Sequence, residues 1–275
     1  GECNCRHSIE FLLNGKKIVL EQGEFNPIQS LGKWLRTDKV NLKGTKVACE
    51  EGGCGSCTVV MTQYDSISDS LVHRPINSCL IPMGLLDGQS ITTIEHLGSK
   101  EKGLHPIQKS FVKHHATQCG YCTPGFIMNA YSMLLDKKQP SLEDLQNRFD
   151  GNICRCTGYR AIHDALRVFS KDYKQNPDSE LVSDETNTKT YICPDPSQPL
   201  DTRLRTPIRL DYKNIKFFVP NDFQQLMKIK MSYPNSVLIA GATEIGIDIK
   251  KKPPAPVYIS LQNIKELRGL EISPD

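Results

Sequence analysis

Apolar and polar positions alternate in two opening stretches, Ser8 to Leu13 and Lys16 to Leu20. Asn14-Gly15 between them suits the positive φ angles of a type I′ turn, so a β-hairpin is expected. Asn26-Pro27 then reads as an N-cap followed by proline at the first helical position, with Ile28, Leu31, Trp34 and Leu35 supplying one apolar face. A loop dense in glycine and cysteine comes next. Cys57 to Met61 and Gln89 to Ile94 are strand candidates, so the first hundred residues read as mostly β.

From about residue 104 the period changes. Ile107 and Phe111 sit one turn apart after Pro106, and Thr123-Pro124 opens a helix with Phe126, Ile127, Ala130 and Leu134 as apolar positions. Ser141 with Asp144 forms a capping box before Leu142, Leu145 and Phe149. Ile162, Ala165, Leu166 and Phe169 keep to the i, i+3, i+4, i+7 template. Four short apolar stripes are most economically buried in a small bundle. Residues 171 to about 213 are polar and aperiodic, a linker longer than most connections inside a compact domain. Phe217 to Val219, a helix near Asn221 to Met231 and the strand Val237 to Ala240 then restart an α/β pattern.

Composition narrows the function classes. The 275 residues, 38% hydrophobic and 24% charged, suit about two domains. Thirty-four basic residues against 31 acidic ones, with no dense basic stripe, argue against nucleic-acid binding. The opening Gly1 to His7 has no apolar signal region. Ala116 to Leu135 carries no charge, but Gln118, Pro124 and Asn129 with two Cys and two Gly make a poor membrane span. No membrane association and a reducing, cytoplasmic compartment are expected. Among the eleven cysteines, thiols in such a compartment stay reduced and serve as metal ligands rather than cross-links.

Cys49, Cys54 and Cys57 form C-x4-C-x2-C, with Cys79 beyond, the plant-type [2Fe–2S] spacing. Cluster sulfurs and thiolates carry net negative charge, and Gly52, Gly53 and Gly55 let the backbone fold round them and aim N–H groups inward. Zinc competes, although structural zinc sites use paired CxxC knuckles and only Cys54 and Cys57 make one here. Cys119 and Cys122 (CxxC) and Cys154 and Cys156 (CxC) form a second set. Each pair lies just before a predicted helix, where backbone donors and the helix dipole favour thiolate. Two facing helix N-termini would give a four-thiolate site, which zinc could also satisfy.

Three long motifs carry a family resemblance. They are Cys49-Glu50-Glu51-Gly52-Gly53-Cys54-Gly55-Ser56-Cys57-Thr58, Gln118-Cys119-Gly120-Tyr121-Cys122-Thr123-Pro124-Gly125 and Asn152-Ile153-Cys154-Arg155-Cys156-Thr157-Gly158-Tyr159-Arg160. In this order the chain resembles the molybdenum hydroxylases over residues 7 to 170, the xanthine dehydrogenase/oxidase group more than the aldehyde oxidases. The resemblance implies an α+β chain. Residues 1–98 would form a ferredoxin-like β-grasp domain with one [2Fe–2S] cluster, and 99–172 a four-helix domain with the other. After a linker over 173–213, residues 214–275 would begin an α/β FAD-binding domain. It also implies that Gln118 and Cys156 lie against the pterin of a molybdenum cofactor held by another domain or chain.

Leu238 to Gly246 resembles the first phosphate loop of that family's FAD domain, with Ala240, Gly241, Ala242, Thr243 and Glu244 as contacts. A strand ending in a glycine turn that opens a helix presents N–H groups to a pyrophosphate, though a plain packing turn reads the same way. Many relatives carry Asn where this chain has Ala242, so that contact would be missing, and the remaining flavin domain would be supplied elsewhere.

The implied function is electron transfer from the molybdenum cofactor through both clusters to FAD and then NAD⁺ or O₂, during hydroxylation of hypoxanthine or xanthine, in an oligomeric whole enzyme. The chain would be a fragment, one chain of a split enzyme or a natural truncation. An aldehyde oxidase or another N-heterocycle hydroxylase would share every motif. A zinc-binding interaction module and a stand-alone two-cluster ferredoxin are the other readings. His114 and His115 read as a helix end, where a cation is favoured. Cys3, Cys5 and Cys193 lack a partner set, and Lys250-Lys251-Lys252 reads as a solvated face.

Overall fold

A computed structural model describes residues 5–65, 69–136, 139–173 and 206–269. The opening hairpin pairs β1 (Ser8–Leu13) with β2 (Lys16–Glu21), and Asn14 and Gly15 close it at φ 51° and 78°. The helix expected after Asn26-Pro27 starts later, as α1 (Leu31–Leu35), with Ser30 as its cap. Asn26 closes a turn instead: its Oδ1 accepts from Ile28 N at 3.1 Å and its carbonyl from Gln29 N at 3.0 Å. A short amide side chain that bonds its own backbone competes with helix continuation.

β3 (Thr58–Asp65), β4 (Ser70–Asn77) and β5 (Ser90–Thr92) complete a mixed sheet in the order β2-β1-β5-β3-β4, with β1 and β5 parallel. β4 gives little sequence signal. It is an edge strand that contains Pro75 and has no buried residue, so neither face alternates cleanly. A short α2 (Ile94–Leu97) takes up the end of the expected 89–94 strand. Leu31 and Leu35 of α1 are fully buried with Ile9, Phe11, Val59 and Ile91 of the sheet.

The four expected helices form as α3 (Pro106–Lys113), α4 (Thr123–Asp136), α5 (Leu142–Arg148) and α6 (Arg160–Arg167). Their shared core includes Ile107, Phe111, Phe126, Leu145, Ile162 and Leu166. The capping box is reciprocal: Ser141 N donates to Asp144 Oδ2 at 2.7 Å, and Asp144 N to Ser141 Oγ at 3.1 Å. His114 caps the C-terminus of α3, as its place after the apolar stripe suggests. No helix among the described residues is long and apolar enough to cross a membrane.

The expected linker over 173–213 is corrected at its far end, and residues 174–205 lie outside the described residues. Ile208–Tyr212 forms a strand, β6, because Ile208 and Leu210 alternate into the core. It joins β7 (Ile215–Val219), α7 (Phe223–Ser232), β8 (Val237–Ile239), α8 (Ile245–Lys251) and β9 (Val257–Ser260), with sheet order β6-β7-β9-β8.

This third region shares its core with the first. Ile208, Leu210, Phe217, Val219 and Tyr258 pack in one cluster with Ile9, Phe11, Met83 and Leu86. Gly84 faces the Phe217 ring, where a Cβ would lie 2.7 Å from Cε1. Arg6 bridges the two sheets, with Arg6 N donating to Pro207 O at 2.8 Å and Arg209 N to Arg6 O at 3.0 Å. Its guanidinium pairs with the buried Asp87 at 2.7 Å. Eight described cysteines are free thiols, whereas Cys5 is disulfide-bonded. Cys5 is thus an exception to the expectation that thiols of this chain stay reduced.

Candidate metal centres and the flavin turn

The first thiol set hangs on the loop before β3 and on the turn after β4. Glu50, Gly52 and Gly55 all take positive φ, at 59°, 78° and 67°, so the chain between Cys49 and Cys57 coils tightly with its N–H groups inward. Glu51 N donates to Cys49 Sγ at 3.4 Å, and Ser56 Oγ lies 3.2 Å from Cys54 Sγ. Cys57 and Cys79 are buried together with Leu80.

These four thiols influence one another: Cys49 acts on Cys54, and Cys57 acts on Cys79 and also feels Cys54. Sharing a proton with its neighbour raises Cys57, helped by burial; the same bond from Cys57, over opposing burial, brings Cys79 down to about 7. Burial works against ionisation at Cys54, but the Ser56 hydroxyl and backbone carry it below the ordinary thiol range.

The second set sits where α4 and α6 begin. Cys119 and Cys156 are exposed with sulfurs 3.5 Å apart. Cys122 and Cys154 lie deeper and interact with each other; burial, then Cys154, pushes Cys122 up to about 12. Cys154 is held below its ordinary value, despite burial, by Thr157, whose Oγ1 and N lie 3.1 and 3.4 Å from its sulfur. Cys119 is lowered by the Tyr121 backbone N–H and then by Cys156. Tyr159 takes a left-handed conformation, φ 68°, at the start of α6, and its hydroxyl oxygen accepts from Cys154 N at 3.1 Å. A bulky residue in that region is a local cost that marks a built site.

The structure also joins the two sets, through contacts the motifs alone did not reveal. Ile153 N, beside Cys154, donates to the carbonyl of Cys54 at 3.0 Å. Asn152 Nδ2 donates to Gly55 O at 3.1 Å, and Asn129 Nδ2 to Asn152 Oδ1 at 2.6 Å. Backbones touch where α4 begins: a Cβ at Gly125 would come within 2.2 Å of Gly55 O. Tyr121 Oη reaches Val47 O at 2.9 Å. Gly125 and Asn152 stand inside the motifs, but nothing in their spacing reveals that they meet Gly55.

The grouping of the thiols tests which metal group they suit. A binuclear cluster takes two thiolates at each of two irons, whereas zinc takes four ligands around one point. Among the described residues no three His, Cys, Asp or Glu side chains gather round a single ion position. Four neighbouring sulfurs per set fit the binuclear arrangement.

The expected flavin turn is the open connection from β8 to α8. Ala240, Gly241, Thr243 and Glu244 are exposed, and a Cβ at Gly241 would meet nothing within 4 Å. Ala242 is buried at φ 61°, a conformation Asn adopts more readily than Ala, so this position costs backbone strain as well as lacking an amide. Four of the five expected contact positions in this turn are thus open to solvent. Gln118 is exposed beside Cys119, with the exposed rings of Tyr121 and Tyr159 and the side chain of Ile153 nearby in the same motifs.

Comparison with known proteins decides the family. Residues 29–84 match the 2Fe-2S iron-sulfur cluster binding domain, 93–167 the [2Fe-2S] binding domain, and 213–275 the FAD binding domain in molybdopterin dehydrogenase. Xanthine dehydrogenase of Calliphora vicina is 36% identical over 286 residues, covering 94% of this chain and 21% of its own length. Xanthine dehydrogenase/oxidase of Mus musculus is 35% identical over 291 residues, covering 96% of this chain and 22% of its own.

The chain belongs to the molybdenum hydroxylases.

It spans about a fifth of the length of the curated molybdenum hydroxylases it matches. Among solved structures, aldehyde oxidoreductase from Desulfovibrio desulfuricans is 34% identical with TM-score 0.51, covering 59% of this chain and 17% of that one. Two [2Fe–2S]-binding regions followed by the start of the family's FAD-binding region make this the electron-transfer portion of a xanthine dehydrogenase-like molybdenum hydroxylase.

Proposed function

We propose that Cys49, Cys54, Cys57 and Cys79 hold one [2Fe–2S] cluster and that Cys119, Cys122, Cys154 and Cys156 hold the other. When bound, the clusters each accept and pass on one electron. The mutual influence of the thiols within each set carries this reading, with the Cys119 and Cys156 sulfurs 3.5 Å apart, because four neighbouring sulfurs are what a binuclear cluster would take. The Ile153–Cys54 hydrogen bond supports direct coupling of the sets by joining their loops through backbone.

The exposed outer thiols of the second set, Cys119 and Cys156, would face the molybdenum-cofactor domain or chain, with Gln118 and Cys156 against the pterin. The first set would face the flavin, whose phosphates Ala240, Gly241, Ala242, Thr243 and Glu244 would receive. The boundaries 1–98, 99–172 and 214–275 follow this division of labour, although β6 attaches itself to the third region. One face of α7 exposes Phe223, Met227 and Met231, apolar surface for the remainder of the flavin domain to cover.

For the whole enzyme, the names of the xanthine dehydrogenase relatives support oxidation of xanthine; hypoxanthine as a further substrate, NAD⁺ or O₂ as acceptor and an oligomeric assembly complete the proposal. An aldehyde oxidoreductase aligns with 59% of this chain, so the likeness fits an aldehyde substrate as well as a purine. Free thiols at both sets support a reducing, cytoplasmic setting, although the Cys5 disulfide does not.

Metal analysis tests the core of the proposal. The chain purified without air should carry four irons and four acid-labile sulfides. Stoichiometric zinc without sulfide would replace it with the interaction-module reading.

A further inference from the structure

The lysine run that reads as a solvated face instead reaches the first thiol loop. α8 lies with Gly246 against the turn that carries Cys79, so close that a Cβ there would come within 2.3 Å of Leu80 O. Ile247 packs on the group formed by Cys57, Cys79 and Leu80. One turn on, Lys250 Nζ donates to the carbonyl of Glu50, between Cys49 and Cys54.

Neighbouring charges are matched differently. Lys33 pairs with the Glu50 carboxylate at 2.8 Å, and Lys251 with the Glu51 carboxylate at 2.5 Å. Each acidic side chain of the loop thus has its own lysine, while Lys250 bonds a neutral carbonyl. Lys33 and Lys250 line a cavity of about 350 Å³, so a neutral side chain at 250 would leave space for water rather than disturb a packed core.

We propose that Lys250 is a positioning residue for electron transfer, whose ammonium, carried by the flavin-region helix, raises the reduction potential of the cluster at Cys49, Cys54, Cys57 and Cys79. This rests on the ligand assignment proposed above. Each reduction adds one electron and therefore one negative charge, which a nearby cation stabilises. A higher potential makes the first cluster the better acceptor for an electron leaving the second. Because Lys250 arrives on α8, docking of the flavin region and the poise of the cluster become one structural event.

The test is a potentiometric titration with dithionite, followed by low-temperature EPR, on the full 275-residue chain reconstituted with iron and sulfide. Cys154→Ser identifies the second set's signal by removing it. Lys250→Gln should lower the first midpoint by about a tenfold change in oxidised-to-reduced ratio, roughly 59 mV for a one-electron couple, and leave the second in place. Lys250→Arg should restore the value, and Lys251→Gln should move it less. If the Gln variant loses its cluster, Lys250→Met is titrated on the same criterion. An unmoved first midpoint, or equal movement of both, overturns the role of Lys250. A wild-type chain lacking the first signal overturns the ligand assignment, and this proposal with it.

Discussion

The two thiol sets contrast in how they are built. The first is held by a coiled loop over a core shared with the flavin region, and its inner sulfurs, Cys57 and Cys79, are 2% and 1% exposed. The second is held at two helix starts, and its outer sulfurs, Cys119 and Cys156, are open to solvent. Loop backbone with three positive-φ residues can wrap a charged group almost completely. Helix starts present donors from one side only and leave the other side free. The first construction suits a site that is approached through protein, and the second suits a site that meets a partner.

The largest effect that could break this contrast is chemical access. In the metal-free chain, Cys119 and Cys156 should alkylate about a hundredfold faster than Cys57 and Cys79, because reaching a buried thiol requires a local opening of roughly 3 kcal/mol. Mass spectrometry of timed samples reads the order, and equal rates would remove the distinction.

Next comes the seam between the sets. Gly125→Val would drive side-chain atoms into Gly55 O, costing about 3 kcal/mol and lowering the unfolding midpoint by about 5–10 °C. A midpoint unchanged by calorimetry would mean that the two regions do not rest on each other there.

Acid should open the helical region first. Burial lowers His105 to about 4 from an ordinary 6.5, and its ring nitrogen accepts from Ile107 N at the start of α3. Between those values the unfolded chain takes up a proton that the folded one refuses. Stability therefore falls as pH drops from about 6.5 to about 4, by up to roughly 3 kcal/mol, and levels off below. His105→Asn, which keeps a cap acceptor but does not titrate, should flatten that slope in denaturant titrations.

The smallest effect concerns the support behind the first set. Ala242→Gly relieves a left-handed alanine and should add about 0.5–1 kcal/mol. Hydrogen exchange should then slow around β8 and Leu80 but not at the helical set. Slowing at both would show that the third region supports them equally.

What the chain discloses before folding is mostly local. The eight cysteines, the Asn14-Gly15 hairpin and the Ser141–Asp144 box depend on residues a few positions apart, so their spacing shows them. Asn26 misled because a cap and an Asx turn use the same side-chain oxygen. β4 was silent because an edge strand with a proline need not alternate. The Gly125–Gly55 approach, the Ile153–Cys54 bond and the reach of Lys250 to Glu50 join distant parts of the chain, and no periodicity encodes them.

Two separate binuclear sites form the central claim, and low-temperature EPR of the dithionite-reduced chain tests it most directly. Two distinguishable [2Fe–2S] signals are predicted, with Cys154→Ser removing one and sparing the other. A single signal from a chain carrying its full iron, or loss of both signals in a Cys154→Ser chain that remains folded, would contradict it.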